Sequence, residues 1–307
     1  MAGQRKSNDE APDSTGPDRA LAEWTVAEAA HGIRVPATTD DKYRHGVLGV
    51  ITGSAAYPGA AVLGVDAAHA TGVGMVRFLG DPEVAERVMQ RRPETVLVDG
   101  RVQAWLLGSG TEWTLADTAP EMVTRALASG EPTVCDAGAL PLAEHATGLT
   151  VVTPHHAECA RLLNVSREQV DADPLGSASE VADRCQTTVV LKGHVTLIVS
   201  PAHAGGRFAR CVTAGTTWLA TAGTGDVLAG IVGALLATHA AELHTGDASS
   251  VGQRAPSFRA AELAATAVLI HGLAALRAGS GGPFGASDIA PHLGPVIAGI
   301  VEKHGVG

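Results

Sequence analysis

The segment Thr221-Ala222-Gly223-Thr224-Gly225-Asp226-Val227-Leu228-Ala229-Gly230 sets a Gly-Thr-Gly-Asp turn directly ahead of an apolar helical run. Glycine lets a backbone approach a ligand closely and turn its N–H groups inward. A helix N-terminus adds unpaired donors and positive potential, so Gly223, Thr224 and Gly225 form a candidate anion hole for a phosphoryl group. Asp226 at the rim could accept the proton of a hydroxyl attacking phosphorus, while the amides of Thr224 to Asp226 stabilise charge on the group in transfer. A second role is open to it on spacing alone. Asp is a favoured N-cap, and glycine before a helix is ordinary turn chemistry. The chain has no Gly-x-x-x-x-Gly-Lys-Ser/Thr loop, which argues against a Walker-type nucleotide site.

Other candidates sit where strands are predicted to end. Gly108-Ser109-Gly110 follows a run ending at Leu107, and Thr153-Pro154-His155-His156-Ala157-Glu158 follows another. His155, His156 and Glu158 could be metal ligands, but their spacing is not the His-x-x-x-His of a helical zinc face. His155 at a strand end could instead donate a hydrogen bond to a phosphate or amide. In Leu191-Lys192-Gly193-His194-Val195-Thr196, Gly193 permits a close backbone approach and Thr196 offers a hydroxyl, while Lys192 could equally be a surface charge in a hairpin.

The elements that must position these residues are short. Val47 to Ile51, Val73 to Phe78, Thr95 to Val98, Ala104 to Leu107, Thr133 to Cys135 and Leu149 to Val152 are predicted strands, mostly in a parallel sheet. Helices are predicted over Ala60 to Ala70, Pro82 to Gln90, Pro120 to Ala128 and Ala157 to Leu163, giving the β-α rhythm of a doubly wound sheet with binding loops at strand C-terminal ends. Beyond Asp183 the rhythm changes. Thr188 to Leu191, Val195 to Val199 and Arg207 to Cys211 read as an antiparallel series joined by Lys192-Gly193-His194 and a Gly205-Gly206 turn. Helices over Val227 to Thr238, Arg259 to Ala278 and Asp288 to Lys303 close the chain. Residues 1–20, rich in Asp, Ser, Pro and Gly, read as a disordered leader, and 21–307 as one α/β domain.

Composition narrows the function classes. An apolar content of 45% supports a buried core, and with 3% aromatic residues that core must be built from small aliphatic side chains between helices and strands. A formal charge of −10 argues against a general nucleic-acid binder. Cys135, Cys159, Cys185 and Cys211 lie far apart and suggest neither a zinc knuckle nor a disulfide framework, which fits a reducing cytoplasm. The polar start lacks a signal-peptide core, and no uninterrupted apolar run approaches a membrane span, so no membrane partner is expected.

The Leu219 to Gly230 segment closely resembles the signature of the NAD(P)H-hydrate dehydratases, relatives of ribokinase-like vitamin kinases. Four further segments are similar in order, from about Lys42 to Leu293: Lys42 to Ser54 with Tyr57-Pro58-Gly59-Ala60-Ala61, Gly108-Ser109-Gly110, Thr153 to Glu158, and Leu191 to Thr196. The resemblance implies a ribokinase-like fold, with a central, mostly parallel sheet flanked by helices on both faces and a late antiparallel segment. It implies Asp226 as catalytic base beside the anion hole of Gly223, Thr224 and Gly225. Ala60, Gly108, Gly110, His155 and Asp226 would contact the hydrated cofactor. Lys192, Gly193, His194, Val195, Thr196 and Gly225 would hold ADP or AMP.

The implied reaction is dehydration of (6S)-NADHX or NADPHX to NADH or NADPH, driven by ADP or ATP with Mg²⁺, as metabolite repair. The resemblance gives no direct protein ligand for that ion. It also implies a homo-oligomer, a tetramer or larger, and functional pairing with a separate NAD(P)H-hydrate epimerase, for whose domain the chain has no room. Two segments depart from the pattern. Asp136-Ala137-Gly138 stands where many relatives have Asp-Ala-Asp, which leaves only Asp136 as a candidate for metal or substrate positioning, and Gly215-Thr216-Thr217-Trp218 replaces the more usual Gly-Asn. The same Gly-Thr-Gly-Asp site could serve a small-molecule (vitamin) kinase, which would leave a stable phosphorylated product. A module that binds AMP or ADP without turnover is a third reading, and an intact Asp226 counts against it.

Overall fold

Along Ala104–Leu107 the side chains alternate between two apolar layers, Ala104 and Leu106 entering one and Trp105 and Leu107 the other. That is the pattern of a strand covered on both faces. The computed structural model describes residues 21–113, 119–203, 206–213, 215–245 and 255–305; the expected leader over 1–20, and Gly205 of the expected Gly-Gly turn, lie outside them.

Among the described residues one sheet contains β1 (Val47–Ile51), β2 (Met75–Phe78), β3 (Ala104–Leu107), β4 (Thr133–Cys135), β5 (Thr150–Val152), β6 (Thr188–Leu191), β7 (Thr196–Val199) and β8 (Ala209–Val212), in the order β2-β1-β3-β4-β5-β6-β7-β8. Pairing is parallel from β2 across to β6 and antiparallel from β6 to β8. The predicted change of rhythm therefore marks a real seam in the sheet. The run 95–98 does not form the predicted strand: only Val96 pairs, with Arg77, and Leu97 and Val98 are exposed. It lies outside β2 at the sheet edge, and the Arg77 guanidinium, donating to the carbonyl oxygens of Val98 and Arg101, draws the chain off the ladder.

The helices are α1 (Val26–Ala30), α2 (Pro58–Thr71), α3 (Pro82–Arg91), α4 (Glu121–Leu127), α5 (His156–Leu163), α6 (Arg167–Ala172), α7 (Pro174–Cys185), α8 (Thr224–Thr238), α9 (Ala240–Thr245), α10 (Pro256–Gly279) and α11 (Ala290–His304). Residues of α2, α8, α10 and α11 fill one apolar layer, and residues of α4, α5, α6 and α7 fill the other. Two glycines set the closest crossing. A Cβ on Gly230 of α8 would collide with the carbonyl of Gly64 on α2, so the two helices meet backbone to backbone. α10 is long and apolar enough to cross a membrane, with mean hydropathy 1.3 over its most apolar stretch, but 78% of that stretch is buried in the protein, as in a core helix. At the far edge the Trp24 amide donates to the Cys211 carbonyl (2.9 Å) and the Cys211 amide to the Ala22 carbonyl (3.2 Å), a strap along β8.

Candidate active site

The loops that follow β3, β4, β5 and β6 converge on the N-terminus of α8. Gly223 is the N-cap of that helix, in the left-handed region at φ +91°, and a Cβ there would lie 2.6 Å from Leu63 Cδ1. Asp226 is thus the third helical residue and makes no capping bond, which removes the N-cap role open to it on sequence. The hole is narrower than predicted. The Thr224 amide faces the Thr221 carbonyl at 3.4 Å and the Val227 amide returns to Gly223, so among the described residues Gly225 and Asp226 keep free N–H groups. The Thr224 hydroxyl donates back to the carbonyls of Leu219 and Thr221 (2.9 Å each), bracing the turn from behind.

Lys192 directly follows β6 and is no surface charge. Its ammonium lies 3.0 Å from Asp136 Oδ1 and 4.0 Å from Glu158 Oε2, and a Cβ on Gly225 would stand 3.4 Å from it. Burial alone would favour the neutral amine, but Asp136 first, then Glu158 and Asp226, hold its pKa above the usual value. Burial pushes the Asp226 carboxyl up to about 7; Asp136 adds to the rise and Lys192 opposes it. A carboxyl placed so is poised near neutrality to take a proton.

Asp136 ties the strand ends together. Its Oδ1 accepts from Thr153 Oγ1 (2.6 Å) and Lys192 Nζ (3.0 Å), and its Oδ2 from Ser109 Oγ (2.8 Å). The sequence offered Asp136 only as a candidate for metal or substrate positioning, and Ser109 and Thr153 had no role at all. Each does stand at the C-terminal end of a predicted strand, where binding residues gather.

Apart from Gly223 and Asp226, which do not line the cleft, the predicted site residues fall into two patches. His155, Lys192, Gly193, His194, Thr196, Thr224 and Gly225 line one cleft of about 730 Å³, together with the buried Leu228, Val268 and His271. Val195 belongs to that hairpin but is exposed and does not line the cleft. Ala60, Gly108 and Gly110 lie apart from it. A Cβ on Gly110, at φ +67°, would be 2.5 Å from Ala60 Cβ, so the loop after β3 packs on the first turn of α2. Ser109, between those two glycines, joins this patch to the cleft through Asp136 and Lys192.

His155 is the N-cap of α5. Its Nδ1 accepts from the Glu158 amide (3.2 Å) while its own amide donates to Glu158 Oε2 (2.8 Å), a reciprocal capping box that accounts for the His-x-x-Glu spacing. His156 instead pairs with Asp171 at 2.6 Å. No group of three His, Cys, Asp or Glu among the described residues could hold a metal ion. His271 is a residue the sequence reading missed: it is buried, its Nε2 has no hydrogen-bond partner, and burial holds its pKa down to about 4, so the ring is neutral.

The family model of NAD(P)H-hydrate dehydratases matches residues 48–280. The chain is 40% identical over 233 residues to the bifunctional NAD(P)H-hydrate repair enzyme Nnr of Mycobacterium leprae, covering 72% of this chain and 47% of that protein. It is 33% identical over 247 residues to the ADP-dependent (S)-NAD(P)H-hydrate dehydratase of Neisseria meningitidis serogroup B, covering 73% of this chain and 80% of that one. Among solved structures, an ADP/ATP-dependent NAD(P)H-hydrate dehydratase from Bacillus subtilis, co-crystallized with ATP/Mg²⁺, superposes with a TM-score of 0.76 at 23% identity, over 91% of this chain and 99% of that one. The fold is ribokinase-like, as expected. The chain belongs to the NAD(P)H-hydrate dehydratase family. It spans about half the length of the Nnr relatives it matches.

Proposed function

We propose that this protein dehydrates hydrated NADH or NADPH at the expense of ADP, releasing AMP and phosphate, with Asp226 as the base. One observation carries the reading. A carboxyl poised near neutrality stands in the first turn of α8, next to the free Gly225 amide, over which Lys192 of the cleft is held, and the Asp226 carbonyl lies 3.5 Å from where a Cβ on Gly64 of α2 would stand. The names of the Neisseria and Nnr relatives support the substrate, and the nucleotide dependence of the Neisseria and Bacillus enzymes supports the donor.

Asp226 takes the proton of the hydroxyl beside the ring nitrogen, and that oxygen bonds to the terminal phosphorus as the bond to the AMP oxygen breaks. The Gly225 and Asp226 amides and Lys192 face the charge on the transferring oxygens. Hydroxide, a poor leaving group, has become phosphate, which the ring nitrogen's lone pair expels; loss of a proton from the adjacent ring carbon restores the double bond. Mg²⁺ would neutralise the donor's phosphates, held by those phosphates and water, since the described residues form no protein cage for it.

The four free cysteines support a cytoplasmic setting. A homo-oligomeric state, a tetramer or larger, and pairing with an NAD(P)H-hydrate epimerase belong to the same reading; the bifunctional relatives support the pairing.

The test is incubation with NADH hydrate, Mg²⁺ and either ADP or ATP, following the reduced-nicotinamide absorbance and the nucleotide products. Recovery of NADH with AMP and phosphate from ADP is expected. In a parallel incubation with a vitamin alcohol, accumulation of its stable phosphate, with no NADH from the hydrate with either nucleotide, would establish the kinase reading instead.

A further inference from the structure

The reaction uses Asp226, Lys192 and the α8 amides, and leaves Asp136 without work although it is only 2% exposed. Its two oxygens are fixed from both sides of β4, by Ser109 at the end of β3 and Thr153 at the end of β5. Burial opposes its charge, but Lys192 together with the hydroxyls of Thr153 and Ser109 outweighs that and holds the carboxyl below the usual range. Asp136 is therefore ionised and held by hydrogen bonds at both oxygens.

The Lys192 ammonium lies 3.0 Å from Asp136 and 4.0 Å from Glu158, and the charge of Asp226 acts on it from farther off. Where the ammonium rests decides two things at once. Over Gly225 it faces an incoming phosphoryl group; paired with Asp226 it would neutralise the base. We propose that Asp136 is a positioning residue that anchors the Lys192 ammonium over Gly225, placing it on the phosphoryl group in transfer and withholding it from Asp226. Ser109 and Thr153 hold the anchor. The other charged or titratable groups around Lys192 cannot replace it. Glu158 is tied into the capping box with His155 at the start of α5, and His271 on α10 is neutral.

The inference rests on Asp226 as the base, so its test reads carboxyl and ammonium signals rather than turnover. In the full-length wild-type protein without ligands, the Lys192 ammonium is followed by nitrogen NMR while Asp226, assigned with Asp226→Asn, is titrated by carboxyl carbon NMR from pH 5 to 9. The ammonium is expected to stay hydrogen-bonded to Asp136 throughout. Migration to Asp226 as it ionises overturns the proposal, and this arm needs no variant that could misfold.

Two variants then displace Asp226 in opposite directions. Lys192→Met removes the opposing cation and raises its midpoint by about one pH unit or more. Asp136→Asn removes a like charge and frees the ammonium, lowering the midpoint by about as much. Loss of charge alone gives this opposition, so the anchor is read from the ammonium itself: in Asp136→Asn the Lys192 nitrogen signal should shift as Asp226 ionises, and a signal that stays as in the wild type refutes the anchor. A failed dehydration assay with that shift intact would sink the proposed function and leave the anchor standing.

Discussion

The Lys192 ammonium stands 3.4 Å from the point where a Cβ on Gly225 would lie, and outside its own helix turn no other described atom comes within 4 Å of that point. Gly225→Ala therefore adds a methyl group to the proposed phosphate position without a clash in the fold. Alanine inside a helix is favoured over glycine by up to about 1 kcal/mol, so the variant should melt no lower than the wild type. The KM for ADP should rise at least tenfold with little change for the hydrate. An unchanged ADP requirement would remove the nucleotide from this part of the cleft. Gly193 is a poorer probe, because a Cβ there would lie 3.0 Å from the Val195 carbonyl of its own hairpin.

Asp226→Asn should slow turnover by about 10²- to 10⁴-fold, the usual worth of a general base, while ADP still binds. Because Gly223 and not Asp226 caps α8, no capping loss accompanies the change. The helix N-terminus favours the carboxylate by about 0.3–1 kcal/mol, whereas a rise to about 7 corresponds to at most roughly 4 kcal/mol against it. Burial wins, and the variant should be more stable than the wild type at pH 8. Activity assays and melting curves on one preparation check both halves.

The same carboxyl gives opposite pH trends for stability and rate. Its folded pKa lies above the unfolded one, so its contribution to stability is fully present below about pH 4 and is lost as pH rises toward 7. Catalysis needs the ionised form, so kcat/KM should climb through an acid limb near pH 7. The melting advantage of Asp226→Asn should grow from pH 5 to 8 along the same curve. An acid limb at pH 4 would mean that the active carboxyl is an ordinary exposed one.

Gly230→Ala drives a methyl group into the Gly64 carbonyl and brings it 3.1 Å from Ala67 Cβ. Overpacking of this kind costs about 1–3 kcal/mol. Relief requires α8 to move off α2, which shifts Asp226 relative to Ala60 and Gly110. Urea unfolding should show the loss, and kcat should fall with it; a variant of wild-type stability would mean that the two helices do not cross at these glycines.

Sequence reading was strongest where a residue's neighbours in the chain decide its state. The ends of β1, β3, β4 and β6 stand where the apolar runs end, and the seam after β6 shows in the loss of helical spacing between runs. Helices α6 and α7 were passed over although their start signals are explicit: Ser166 with Gln169 as a capping box, and Asp173 before Pro174. Polar composition masked them, since only one side of each enters the core. Asp226 was legible as a functional carboxyl but not as a residue past the cap, because one position along the turn depends on which glycine takes the left-handed conformation. The Asp136 anchor was illegible for another reason. Ser109, Thr153 and Lys192 are far from it in sequence, and only parallel strand neighbours bring their ends together.

The seam at β6 also divides the site by how each half is buttressed. The Ala60–Gly110 patch rests on β1 and β3 inside the parallel sheet, whereas Thr196 and Val212 of the cleft sit on β7 and β8, the latter the last strand of the sheet, whose outer side pairs with the short strap through Ala22–Trp24. Local opening is cheapest at such an edge. Backbone amides of β8 and the strap should therefore exchange with solvent well before those of β1 and β3. ADP should slow the exchange of that edge, so that the nucleotide acts as the clamp that finishes the fold on this side.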